Sequence, residues 1–251
     1  FVPEISALSE LLNSDKDIYL TYHTYTNFID ESLSVKANTI VVSNPTVLDY
    51  NLNIKRIFSA EKYECVRNSE YFLKKFEKNN NIENDIIFFS SGFYERIKNS
   101  KINSAILIEG INSEETILNI LIKFTELNKS VNVYLLPHFA RNIETDTNAE
   151  IQFKWLLKKK NFFLLRKGDL DTNKTLNLKY NLGITVCSNV FWERLEAGKK
   201  TIIFNPPICK DYILNTSLKN LTIFDTNNVN NIINNFLKMK NNDYINKLYK
   251  D

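Results

Sequence analysis

The sequence predicts an α/β protein built on parallel sheets. Three observations carry this: short apolar runs of strand length alternate with longer stretches of helical periodicity, 43% of the 251 residues are hydrophobic against 24% charged, and no apolar run approaches the roughly 18 residues of a membrane span. Runs that are apolar throughout rather than alternating belong in parallel sheets covered on both faces.

Taken in order, the first 80 residues give strands at Ile18–Thr21, Thr39–Val42 and Arg56–Phe58, with helices at Ile5–Leu12, Phe28–Val35 and Ser69–Phe76. The polar stretch Glu77–Asn84 has no apolar periodicity and reads as a linker. The expected division is therefore an N-terminal half over 1–80 and a C-terminal half over 85–251. In the second half, strands are expected at Ile86–Phe89, Ala105–Ile108, Val131–Leu136, Phe162–Leu165, Gly183–Val186 and Thr201–Phe204. Helices are expected at Glu114–Leu127, Ala149–Lys158, Phe191–Ala197 and Val229–Met239, followed by a basic tail. All five glycines lie in this half, which marks it as the one where backbone turns tightly or approaches a ligand.

A net charge of +3, with no basic stripe interleaved with aromatics, excludes a nucleic-acid footprint. Three cysteines at unrelated spacings suit neither a disulfide framework nor a zinc site. With no charged-then-apolar leader at its start, the chain is expected to be cytoplasmic. Lys and aromatic residues near the C-terminus read either as a solvated face or as a peripheral contact with the inner membrane.

The most informative segment runs from Ile184 to Asn205. A buried strand leads into Ser188 and Asn189 at a helix start, where free amides and the helix dipole suit a phosphate; Ser188 equally suits a plain helix cap. Glu193 follows five residues later, about one helical turn along, where a carboxylate can accept from a ribose diol. Glu196 and Arg194 are expected to be solvated. The spacing Ser188-x4-Glu193-x4-Gly198-Lys199-x-x-Ile202 resembles the donor-binding corner of the GT-B glycosyltransferases and of the UDP-N-acetylglucosamine 2-epimerases of the same architecture. The resemblance implies two Rossmann-like halves facing an interdomain cleft, with Glu193 on the nucleotide ribose and Ser188 and Asn189 at the phosphate.

Other residues follow from that likeness. The Ser90-Ser91-Gly92 turn ends a strand where the C-terminal domain of such enzymes begins, and would offer hydroxyls and amides to the donor; an ordinary strand-ending turn explains it as well. Glu95 and Arg96 either line the same cleft or form a surface pair. Bacterial sialyltransferases and capsule transferases carry a His-Pro pair at a strand end, the His stabilising the departing phosphate. This chain has the reverse order, Pro137-His138, with Arg141 nearby as a second cationic contact. His23, ending a strand in the N-terminal half, is the candidate general base, with Asp17, Asp30 and Glu31 as rivals. Glu109-Gly110 either faces the cleft or leads into a helix.

The resemblance thus implies a glycosyltransferase of surface polysaccharide synthesis, acting by direct displacement on a nucleotide-sugar donor, CMP-linked if the sialyltransferase-like subgroup is the nearest. Its acceptor would be a glycan or glycolipid. No metal and no cofactor are expected. A UDP-sugar 2-epimerase and a non-catalytic nucleotide-sugar-binding module are the alternatives.

Overall fold

The computed structural model describes residues 19–21, 35–42, 58–65, 69–77, 84–100, 104–138, 150–165, 180–188, 190–207, 210–214 and 216–249. Strands β1 (Tyr19–Thr21), β2 (Val35–Val42) and β3 (Phe58–Cys65) form a three-stranded parallel sheet in the order β1-β2-β3. Strand β2 begins four residues earlier than its apolar run, and β3 continues seven residues past the expected end. Parallel pairing along the whole of Val35–Val42 draws in Lys36, Ser59 and Lys62, which apolar content alone does not mark. The expected helices at 5–12 and 28–35 lie outside the described residues, apart from Val35, which starts β2.

A second sheet contains β4 (Ile86–Phe89), β5 (Val133–Leu136), β6 (Phe162–Leu164), β7 (Leu182–Thr185), β8 (Lys200–Phe204) and β9 (Thr222–Ile223). All six are parallel, in the spatial order β6-β5-β4-β7-β8-β9. The chain builds outward from β4 in one direction, then returns to β4 and builds outward in the other. This is the strand order of a doubly wound, Rossmann-like sheet, and the reversal falls between β4 and β7. Every residue of β4 is buried. Ile86 and Phe88 join the large core, while Ile87 and Phe89 join a smaller cluster with Leu136 and Tyr180, because successive side chains leave a strand on opposite faces.

The accompanying helices are α1 (Ser69–Glu77), α2 (Phe93–Ser100), α3 (Ala105–Leu127), α4 (Val190–Glu196), α5 (Lys210–Leu214), α6 (Val229–Lys238) and α7 (Asn241–Leu248). Three expectations are corrected here. Residues Ala105–Ile108 are not a strand but the first turn of the 23-residue α3. Ser104 caps that helix, its Oγ accepting from the Leu107 amide, and Ile106 and Ile108 are exposed, so their apolar character reports no burial. Of the helix expected at 149–158, residues 150–153 form one helical turn and residues 154–158 are turns, with Phe153 and Leu156 the buried ones among the described residues. Third, the basic tail is the helix α7, which contributes Tyr244, Ile245 and Leu248 to the core at zero exposure.

Helix α1 precedes the polar stretch in sequence yet packs against α7 and α4. Its Phe72 and Phe76 are fully buried in the large core, and the Phe76 ring stacks on Tyr244 at 5.6 Å. The six-stranded unit therefore recruits residues from before the polar stretch. Arg194, expected on a solvated face, is also fully buried. It donates from Nε to the Thr201 hydroxyl (2.9 Å) and from one terminal nitrogen to the Tyr180 (2.8 Å) and Lys200 (3.2 Å) carbonyls, pinning α4 to β7 and β8. Desolvation lowers its pKa to about 9. Lys200 likewise donates to the carbonyls of Phe236, Leu237 and Met239 at 2.8–3.0 Å, closing the C-terminus of α6.

Phe76→Ala is expected to lower stability by about 3–5 kcal/mol, the cost of a buried aromatic truncation. Urea unfolding followed by tryptophan fluorescence checks it, since buried Trp192 belongs to the same core as Phe76. An effect below about 1 kcal/mol would mean that α1 is not part of that core.

Candidate functional site

In an open parallel sheet the ligand crevice lies beyond the carboxyl ends of the strands where the order reverses. Here that place is formed by the ends of β4 and β7, with β5 alongside. Strand β4 runs into Ser90, Ser91 and Gly92, all buried, and then into α2. Gly92 has φ +76°, which turns the chain sharply off the strand and into the helix. A Cβ there would sit 2.5 Å from the His138 ring, so the imidazole lies directly against the turn. Ser90 N–H donates to the Leu136 carbonyl at 3.0 Å, fixing the end of β4 to the end of β5. On the other side, the Cys187 amide donates to Ser91 Oγ at 2.8 Å, and the Thr185 hydroxyl donates to the Phe89 carbonyl at 3.2 Å. Ser90, Ser91, Gly92, His138 and the segment leading to Ser188 are thus gathered at one spot, from three strands and across some 98 residues of sequence.

The turn's own polar groups are largely engaged. Ser91 N–H donates to Glu114 Oε1 and Gly92 N–H to Ser90 Oγ, while Ser90 Oγ donates to Glu114 Oε2 at 3.3 Å. The amides that intrahelical bonding leaves over are those of the first turn of α2, whose first helical bond runs from Arg96 N–H to the Gly92 carbonyl. A phosphate at this corner would meet α2 rather than the turn itself. Ser188 caps α4, its Oγ accepting from the Val190 amide at 3.3 Å. Glu193 is exposed on α4; partial desolvation, then the like charge of Glu196, raises its pKa.

His138 is half-buried, and desolvation together with the nearby Arg96 charge lowers its pKa, so the ring is neutral at neutral pH. It can donate or accept one hydrogen bond there but supplies no fixed positive charge. Glu95, expected at the cleft or in a surface pair, is instead 3% exposed, with neither oxygen hydrogen-bonded among the described residues. Glu109 lies exposed on α3 and follows no strand, which corrects the expectation of a strand leading into it. His23, Arg141 and Asn189 lie outside the described residues, as do Asp17, Asp30 and Glu31.

One group that sequence reasoning missed holds this corner together. Glu114 is 1% exposed and reaches from α3 to the β4 turn, accepting from Ser91, Ser90 and Gln152 Nε2. Burial raises its pKa to about 8, with the neighbouring Glu95 adding to the rise. The signal was its spacing: Glu114 falls on the same stripe as Gly110, Ile117, Leu118 and Leu121, the buried face of α3. Among the described residues, no group of three or more His, Cys, Asp or Glu could hold a metal ion, and no helix is long and apolar enough to cross a membrane.

No known family model matches the chain, and no curated protein is significantly similar to it. The chemistry of the corner therefore rests on its residues: a helix start with free amides, a neutral imidazole, a serine-capped second helix and an exposed carboxyl one turn further on.

Glu114 also sets a pH dependence. Its pKa is raised in the folded chain, so between about pH 4.5 and about 8 the native state holds a proton that the unfolded state has lost. Stability accordingly falls as pH rises through that window, by on the order of 1 kcal/mol per pH unit, and Glu95 acts in the same direction. Urea midpoints measured from pH 5 to pH 8 should decline in the wild type and flatten in Glu114→Gln. Equal slopes in the two proteins would mean that Glu114 ionises normally.

Proposed function

We propose that this chain is a metal-independent glycosyltransferase of GT-B-like architecture, which transfers a sugar from a nucleotide donor to a surface glycan or glycolipid on the cytoplasmic side of the membrane. The observation that carries the reading is the meeting of the Ser90–Gly92 turn, His138 and the Ser188 end of β7 where the strand order reverses, the place at which nucleotides bind such sheets. The spacing of Ser188, Glu193 and Gly198 supplies the family likeness.

In this reading the donor phosphate lies at the start of α2, within reach of His138 and the charge of Arg96, and Arg141 adds a second cation. Glu193 accepts from the ribose hydroxyls; Ser188 and Asn189 line the same corner. The N-terminal sheet belongs to the acceptor half, which faces the nucleotide half across a cleft, and His23 is its general base. The base removes the proton of the acceptor hydroxyl, and the oxygen bonds to the anomeric carbon. The bond to the phosphate oxygen breaks, and the nucleotide leaves with the electron pair. The neutral His138 ring donates its N–H to the departing phosphate, and a CMP-linked sugar is the preferred donor.

Thermal melts with CMP, UDP, GDP and their sugars test this. One nucleotide at about 100 times its Kd should stabilise the wild type by about 2.7 kcal/mol. In Glu193→Ala and His138→Ala the affinity should fall about tenfold, the loss of one good hydrogen bond to a charged group. A wild type that no nucleotide stabilises would sink the assignment of the corner. A shift undiminished in Glu193→Ala would remove that residue from the ribose.

A further inference from the structure

Beside the β4 turn, α2, α3 and the segment around 151–155 line a cavity of about 230 Å³. It is smaller than the roughly 300–1,000 Å³ of pockets for drug-sized ligands, which excludes a nucleoside diphosphate and admits one small ring. Its walls are aromatic and aliphatic, with Tyr94, Trp155 and Ile111 among them, and its polar groups include Glu114 and Gln152.

The two polar groups are complementary. Gln152 spends its amide nitrogen on Glu114, and its Oε1 is buried with no hydrogen-bond partner among the described residues. A buried acceptor of this kind is destabilising unless a donor arrives. Glu114 accepts from three donors, and at neutral pH it keeps a proton, so it also has an O–H to give. A donor and an acceptor side by side match a hydroxyl, which both accepts and donates. Glu115, exposed, also lines the cavity, but the buried polar end is the Glu114–Gln152 pair, whose paired donor and acceptor favour a polyol hydroxyl there.

We propose that this cavity is a saccharide subsite that takes a single pyranose ring, its C–H face against Trp155 and its hydroxyls on Gln152 Oε1 and Glu114. An apolar face stacked on indole with hydroxyls turned to an amide and a carboxyl uses Trp155, Gln152 and Glu114 each for what it can do. The inference does not rest on the transferase reading. The two sites adjoin: Glu114 hydrogen-bonds to the turn on one side and lines the cavity on the other, and Tyr94, in the first turn of α2, lines the cavity as well.

Saturation-transfer NMR on the full chain tests it, with methyl β-D-galactopyranoside, methyl β-D-glucopyranoside and N-acetyl-D-glucosamine as probes and choline as the cationic competitor. At least one sugar should bind saturably, with affinity falling about tenfold in Gln152→Leu and in Trp155→Ala. Trp155 is 37% exposed, so its truncation leaves the core intact, which an unchanged melting temperature confirms. Nucleotide-induced melting shifts should persist in Trp155→Ala, which separates this site from the corner. The proposal is overturned if none of the three sugars binds saturably, if choline displaces the sugar, or if both variants bind as tightly as the wild type.

Discussion

A carboxyl group buried in helix α3 decides where the β4 turn can sit. Glu114 reaches out of the long helix to take the amide of Ser91 and the hydroxyl of Ser90, and it does so with 1% of its surface in contact with solvent. Ser91 in turn receives the Cys187 amide, and Gly92 lies under the His138 ring. Three strand ends are therefore referred to one side chain. Desolvation keeps that side chain protonated at neutral pH, so the corner is held by a neutral group in a low-dielectric setting, where each hydrogen bond is strong and each unmade one costly.

The strands of the six-stranded sheet were legible because they are buried on both faces and so are written as unbroken apolar runs: Ile86–Phe89, Val133–Leu136 and Lys200–Phe204 are found within a residue or two of where hydrophobicity alone puts them. The same signal misled at Ala105–Ile108, where a short apolar run with two isoleucines imitates a strand; the cap at Ser104 and the exposure of Ile106 and Ile108 make it a helix start. The C-terminal tail failed in the opposite sense. Its asparagines and lysines hide a stripe of three residues, Tyr244, Ile245 and Leu248, spaced for one helical face and buried completely.

At the site, the turn residues and His138 were recognisable because they follow apolar runs, and the strand order brings those run ends together. What could not be read was the division of labour among them. Composition marks Ser90-Ser91-Gly92 as a ligand-facing turn, but only the fold shows that Glu114 has already taken the Ser91 amide and moved the free donors into α2. Arg194 was misplaced for a related reason: on a seven-residue helix it sits beside Phe191, Trp192 and Leu195, and nothing in that pattern reveals that the carbonyls of Tyr180 and Lys200 await its guanidinium.

Arg194 and Lys200 share an unusual arrangement of their positive charge. The oxygens that receive their hydrogen bonds are backbone carbonyls and one threonine hydroxyl, with Phe89's ring 5.6 Å from the guanidinium. Carbonyl dipoles, unlike carboxylates, neither titrate in acid nor trade partners with dissolved ions, and at these depths counterions do not enter. The joints between α4, β7, β8 and α6 are in that respect indifferent to the ionic strength of the surroundings. A molecule fastened in this way can meet a highly charged ligand at the opposite end of the same strands without its framework registering the change in field.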